Sequence, residues 1–133
     1  MNMQESVRHV LSNYATFSGR APRPEFWWWV LFVFVLLLVT QAIDAFLIVP
    51  LLGIEPALEG ENPSRPLSML VSLALIIPNL AVGVRRLHDT DKSGWWILIG
   101  LIPIIGFLVL LYFYAQKGTE GENRFGPPPA GTA

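Results

Sequence analysis

The sequence predicts an all-α membrane protein, a three-transmembrane-helix bundle preceded by an amphipathic N-terminal helix. Three apolar stretches carry that prediction: residues 26–49, 67–84 and 95–115. Composition points the same way. Of 133 residues, 53% are hydrophobic and only 14% charged, against about 25% charged in an ordinary soluble domain, and the mean hydropathy is +0.49. The second and third stretches hold 18 and 21 residues without a charge. At about 1.5 Å of rise per residue they would measure about 27 Å and 31 Å as helices, close to the ~30 Å hydrocarbon core of a bilayer. A chain of this length builds one domain, so residues 1–133 read as a single multi-span membrane unit.

The first element expected is a helix over residues 3–18. Met3, Val7, Val10, Leu11, Tyr14 and Phe17 recur at spacings of three and four, with Gln4, Glu5, Arg8 and Ser12 away from that face. Such a helix lies on the membrane surface or packs on the protein's own helices, and both readings stand. Gly19 ends it, while Pro22 and Pro24 prevent it from running straight into the next element. The first apolar run, residues 26–49, follows Arg20 and Arg23 and is 24 residues long if Asp44 is tolerated. A signal peptide has an apolar region of about 7–15 residues and a small-residue cleavage site, so an uncleaved transmembrane helix is expected here. Phe26 to Trp29 open this span and Trp95 and Trp96 open the third, where amphipathic rings prefer the headgroup boundary, with Tyr112 and Tyr114 marking the far end.

Between the first two spans runs a proline-rich, acidic loop with Pro56, Pro63 and Pro66 and Glu55, Glu59 and Glu61. Pro78 interrupts the backbone ladder of the second span, and Pro103 and Gly106 repeat the theme in the third. Residues 116–133, with four glycines and Pro127 to Pro129, have the composition of a flexible tail. Three spans would put the two chain ends on opposite sides. The N-terminal segment and the second loop then share six positive residues (Arg8, Arg20, Arg23, Arg85, Arg86, Lys92) against three elsewhere (Arg65, Lys117, Arg124), which puts the N-terminus in the cytoplasm.

Polar chemistry concentrates in Arg85 to Trp96, RRLHDTDKSGWW. Three readings are open. Arg85 and Arg86, with Lys92 and Arg20, could grip the phosphate of an anionic headgroup. Asp89 or Asp91 could instead pair with Arg85, Arg86 or Arg20 and clamp the loop to the N-terminal segment. In the third, His88 with Asp89 and Asp91 would bind metal, or His88 oriented by Asp89 would act as a base; no serine, threonine or second histidine at motif spacing completes a catalytic set. Ser93 reads as the cap of the third span. Asp44 is the one ionisable residue inside an apolar run, and a charge there suggests function unless it reaches water near the end of the run or pairs; Thr40 and Gln41 lie one turn away, and a Gln41–Asp44 pair on one face would suit helix–helix hydrogen bonding. Asn79 beside Pro78 could line a cavity or serve packing. A net charge of −1 without a basic arm excludes a nucleic-acid binder, and zero cysteines exclude disulfides and thiolate metal sites.

In order along the chain, FSGRAPRPEFWWW, RRLHDTDKSGWW, LIPIIG and GTEGENRFGPPP resemble the domain of unknown function 805 family, small bacterial inner-membrane proteins. The similarity covers about residues 11 to 129 and rests on Gly19, Arg20, Arg23, Glu25, Phe26 and Trp27, on Arg85 to Asp89 with Ser93 to Trp95, and on Gly121, Asn123, Phe125, Gly126 and Pro127. The resemblance implies a multi-span inner-membrane protein and supplies no biochemical activity. It also implies that GENRFGP docks on something. If Asn123 and Arg124 met the RRLHD segment, three simple spans would be excluded and LIPIIG would be re-entrant, or a fourth crossing would hide in the first apolar region.

The expected role is therefore non-enzymatic. The candidate site is Arg20, Arg85, Arg86, His88, Asp89 and Lys92, binding a membrane-protein partner or an anionic phospholipid, with no cofactor and no metal. The alternative is a homo-oligomeric transporter or channel in which Asp44 and Asn79 line the passage.

Overall fold

A computed structural model describes residues 1–55, 58 and 60–129. Pro56, Ala57 and Glu59 of the acidic loop lie outside the described residues, as do the last four residues of the tail. The described elements are helical, apart from an isolated bridge between Asn123 and Gly126. The chain divides into two compact units, Met1–Val30 with Ile77–Ala133, and Leu31–Ile76.

In the first unit, α1 (Met3–Ser12) begins where the Asn2 side chain accepts the Glu5 N–H at 2.8 Å, a cap that satisfies one of the amides left open in a first helical turn. It stops at Ser12, six residues before the expected end. The physical cause is Asn13, whose backbone N–H and side-chain amide both turn back onto α1 carbonyls. The amphipathic face is divided in consequence: Val10 is fully buried, while Leu11, Tyr14 and Phe17 remain exposed.

The next helix opens with Arg23 and Pro24, a proline in a first turn where no N–H bond is lost. It continues for 30 residues to Leu52, as α2 (Arg23–Ile43), a π-helical turn (Asp44–Ile48) and α3 (Val49–Leu52), and ends on Gly53 in the left-handed region (φ 68°). It is three residues longer at each end than the expected 26–49. Helix α4 (Pro66–Asp89) runs 24 residues, straight through Pro78. The RRLHD motif, expected in a turn after residue 84, is instead the last turn of α4. Within the first unit the two helices are tied by the Trp29 indole N–H, which donates to Asn79 Oδ1 at 2.8 Å.

The second unit holds Asp44. Its carboxylate accepts the backbone N–H groups of Leu67 and Ser68 at 2.9 and 2.8 Å, and Ser68 Oγ donates to Thr40 Oγ1 at 3.0 Å. Asp44 is thus a cap that one helix lends to the start of another. The amides at an α-helix N-terminus carry partial positive charge and have no intrahelical acceptor, so a buried carboxylate is stable there. Of the readings open for Asp44, reach to water does not hold, since the side chain is buried, and pairing with Gln41 does not form; Gln41 faces outward and Thr40 takes the inward position.

The third apolar stretch is not one helix, which corrects the expectation of a 21-residue span over 95–115. Gly94–Leu101 winds as a 3-10 helix with Ser93 Oγ accepting the Trp95 N–H, and α5 (Ile105–Ala115) follows after a reversal. The break lies at Pro103 and Ile104, where Ile104 has φ 66°, a value that costs a β-branched residue strain. The two arms pack on each other so closely that a Cβ on Gly106 would run into the Ile99 carbonyl. Eight residues at about 2.0 Å of rise and eleven at about 1.5 Å give arms of about 16 Å each, roughly half a hydrocarbon core. Among the described residues, two helices are long and apolar enough to cross a membrane, Arg23–Leu52 and Pro66–Asp89. Trp95, Leu101, Ile104, Ile105 and Phe107 project outward from the hairpin.

Candidate functional site

The last four carbonyls of α4, those of residues 86–89, lack the helix's own i+4 donors, and both terminal segments dock at this end, one of them on the Arg85 carbonyl just before it. The Ala21 N–H donates to the Arg85 carbonyl at 3.0 Å and the Thr119 N–H to that of Asp89 at 2.7 Å. The Asn123 side chain donates to the His88 carbonyl at 2.9 Å. Cationic side chains favour this negative end of the helix dipole, and Arg85, Arg86 and Arg20 gather there.

Their charges are met inside the protein. Asp89 is the hub: Oδ1 accepts Arg20 Nε at 2.9 Å and Oδ2 accepts Arg86 Nη1 at 2.7 Å, with all three side chains at most 2% exposed. The remaining Arg20 groups donate to the carbonyls of Thr119 (2.6 Å), Gly121 (2.7 Å) and Gly126 (3.2 Å). Those of Arg86 donate to the carbonyls of Tyr114 (3.0 Å), Ala21 (3.3 Å) and Gln116. Arg85 turns the other way and meets Glu25, which is fully buried and also contacts the His9 ring. Arg85 Nε donates to the Thr16 carbonyl at 3.2 Å, leaving Nη2 buried without a protein acceptor. The sequence proposed Asp89 or Asp91 as the clamp; Asp89 takes the buried arginines, and Asp91 instead accepts from Arg124 of the tail at 3.2 Å.

His88 is held differently. Its Nδ1 is 2.9 Å from the Gly19 carbonyl, and its ring stacks on Phe125 with centroids 3.9 Å apart and planes 3° from parallel. A carbonyl only accepts, so Nδ1 carries a proton, and in the neutral ring Nε2 is then the acceptor. Lys92 stands apart, with Nζ donating to Gln116 Oε1 at 2.8 Å and lying over the Phe113 ring. Burial, and secondarily the Arg86 guanidinium, push its ammonium below the ordinary lysine range, with Asp91 pulling part of the way back. Among the described residues no three His, Asp or Glu side chains gather to hold a metal ion.

The tail expected to be flexible over residues 116–133 is therefore hydrogen-bonded from Gln116 to Gly126. Gly118 shows how close it lies, since a Cβ there would enter the Asp89 carboxylate. Asn123 and Gly126 exchange backbone hydrogen bonds at 3.0 and 3.1 Å and set the loop that presents Phe125 to His88. Of the candidate residues, Arg20, Arg85, Arg86, His88 and Asp89 come together, Lys92 sits at the edge, Asn79 pairs with Trp29, and Asp44 belongs to the other unit. Glu25 takes part as well, although the sequence names it only through the family resemblance and not as a site residue. Its signal is a carboxylate at the head of an apolar run, two residues after Arg23, where it would be stable only if paired.

The family described as "Protein of unknown function (DUF805)" matches residues 14–127. The chain belongs to the DUF805 family. The matched span takes in both arginine motifs, the hairpin and the docked tail, so the whole joint lies inside the family's extent. Relatives include "Inner membrane protein YhaH" of Escherichia coli (strain K12), 43% identical over 120 residues and covering 90% of this chain and 92% of the relative. "Inner membrane protein YhaI" of the same strain is 44% identical over 120 residues, covering 90% and 91%. "Uncharacterized protein YiiR", also of that strain, is 28% identical and covers 84% of each. No solved structure matches the chain.

Proposed function

We propose that this DUF805 protein is a non-enzymatic binding module of the bacterial inner membrane, in which the RRLHD cluster is an internal frame that holds both chain ends against one membrane face. The observation that carries this reading is the use of Arg20 and Arg86 on Asp89 and on backbone carbonyls of the N-terminal segment and tail. A headgroup phosphate at these guanidiniums would have to displace buried ion pairs. A partner or lipid is therefore bound by what the frame supports. The channel alternative loses its two polar residues to internal bonds, Asp44 to the start of α4 and Asn79 to Trp29. Native mass spectrometry of the full chain, released gently from its membrane, is expected to give a monomer that retains a bound membrane component. A stable oligomer carrying none would overturn the reading.

The same reading gives a topology of two crossings, Arg23–Leu52 and Pro66–Asp89, with the 94–115 hairpin entering and leaving by the cytoplasmic face. Eight of the nine Lys and Arg residues then share that face and only Arg65 lies opposite, a far steeper bias than six to three and in the sense of the positive-inside rule. Because the chain has no cysteine, single-cysteine variants report cleanly. Cysteines at Glu5 and Glu122 are expected to react with an impermeant maleimide only after the inner face is opened, and one at Glu61 from outside intact spheroplasts. Labelling of position 122 from outside would restore three simple spans.

A further inference from the structure

Beside His88 the first unit contains a cavity of ≈ 520 Å³ lined by Phe17, Leu80, Val84, Trp95 and Leu98 among others, with no lysine, arginine, aspartate or glutamate in its wall. That volume lies within the usual ~300–1,000 Å³ of a small-molecule site. Three features give it a direction. Leu80, Val84 and His88 are spaced at four residues and form one stripe on α4, so the wall descends about 12 Å from the polar end of that helix toward its apolar middle. At the polar end stands His88, 8% exposed, with Nδ1 fixed on the Gly19 carbonyl and one ring face covered by Phe125. Its Nε2 is on the cavity side, 3.5 Å from where a Cβ on Gly94 of the opposite wall would stand. Among the described residues Nε2 has no hydrogen-bond partner.

We propose that this cavity binds an uncharged membrane amphiphile, a hydrocarbon chain ending in a hydroxyl group, with the chain along Leu80 and Val84 and the hydroxyl donating to His88 Nε2. The wall is apolar apart from His88 and Ser93, whose Oγ already accepts the Trp95 N–H, so the imidazole acceptor that opens onto it is satisfied by a ligand that brings one donor. With no cation lining the cavity, an anionic headgroup would enter without a counter-charge. The inference rests on the binding-module reading and names its ligand class. The arginine frame has its part here too: it fixes Gly19 and the Phe125 loop, and these two hold the imidazole in the tautomer that accepts.

The test is photolabelling of the full chain in mild detergent micelles with a diazirine-bearing long-chain alcohol, followed by peptide mapping. Label is expected on the peptides that carry Trp95 to Leu98 and Leu80 to Val84. Unlabelled octadecanol should compete about three- to tenfold better than methyl stearate, which has a similar chain and no donor, the ratio that one net hydrogen bond supplies. Leu98→Trp, which fills the cavity without touching the polar joint, should remove the labelling and leave the unfolding midpoint unchanged. With ¹⁵N-histidine, the alcohol should move the His88 Nε2 resonance saturably while His9 serves as reference. Equal competition by the ester, label spread over the outward faces of the spans, or salt-dependent competition by phosphatidylglycerol stronger than that of the alcohol would each overturn the proposal. If native mass spectrometry retains some other membrane component while the cavity stays unlabelled, this inference fails and the binding-module reading stands.

Discussion

Asp89→Asn is expected to destabilise the protein by about 3–5 kcal/mol, the range observed when one member of a buried ion pair is removed and its partner stays charged in low dielectric. Here two guanidiniums, those of Arg20 and Arg86, share the one carboxylate at 2.9 and 2.7 Å. The asparagine side chain keeps the shape but offers one neutral acceptor and turns an N–H group toward a guanidinium. Unfolding of the purified protein in mixed micelles, followed by fluorescence of its five tryptophans, measures the loss. A change below about 1 kcal/mol would show that water replaces Asp89 and that the joint is not a buried one. Gly118→Ala strikes the same joint from the tail, because the added methyl group enters the space of the Asp89 carboxylate.

Gly106→Ala should be damaging for a different reason, steric rather than electrostatic. The new Cβ would run into the backbone carbonyl of Ile99 in the opposite arm of the hairpin, and backbone cannot step aside as a side chain can. The expected loss is about 2–3 kcal/mol, toward the upper end of overpacking costs in well-packed interiors. Gly100→Ala is the internal comparison, since its methyl group meets only the Leu110 Cδ1 atom, 2.8 Å away at the end of a flexible side chain. The same micelle titration should rank Gly106→Ala well above Gly100→Ala. Equal effects would mean that the two arms do not approach each other through Gly106, and the hairpin would fall with that result.

Much of the membrane character was legible because it depends on local composition. Long apolar runs, boundary tryptophans and a proline in a first turn act through neighbouring residues alone, and two of the three runs do contain helices of crossing length. The joint is legible in its parts: Arg85, Arg86, His88 and Asp89 stand out as polar residues between two apolar runs, and Arg20 as a charge ahead of the first. Which acid meets which arginine is not, because Asp89 and Asp91 are equivalent in sequence terms and only the end of α4 separates them. Asp89 closes the helix and points inward, while Asp91 follows with φ 59° and faces the tail.

Hydropathy and spacing are properties of adjacent residues, and they suffice for an apolar, α-helical chain with a polar joint after its second long run. Three features come from the folded chain alone: the third run folds back at Pro103 and Ile104, residues 116–126 dock rather than hang free, and Asp44 caps a helix whose bonded amide is 23 residues away. The last two are pairings between segments distant in the chain, where a carboxylate or carbonyl in one satisfies a donor in another, and the first is a packing of two arms that closes through Gly106. In a low-dielectric surrounding such unsatisfied groups are costly enough to direct the fold, yet a linear reading has no term for which donor will meet which acceptor.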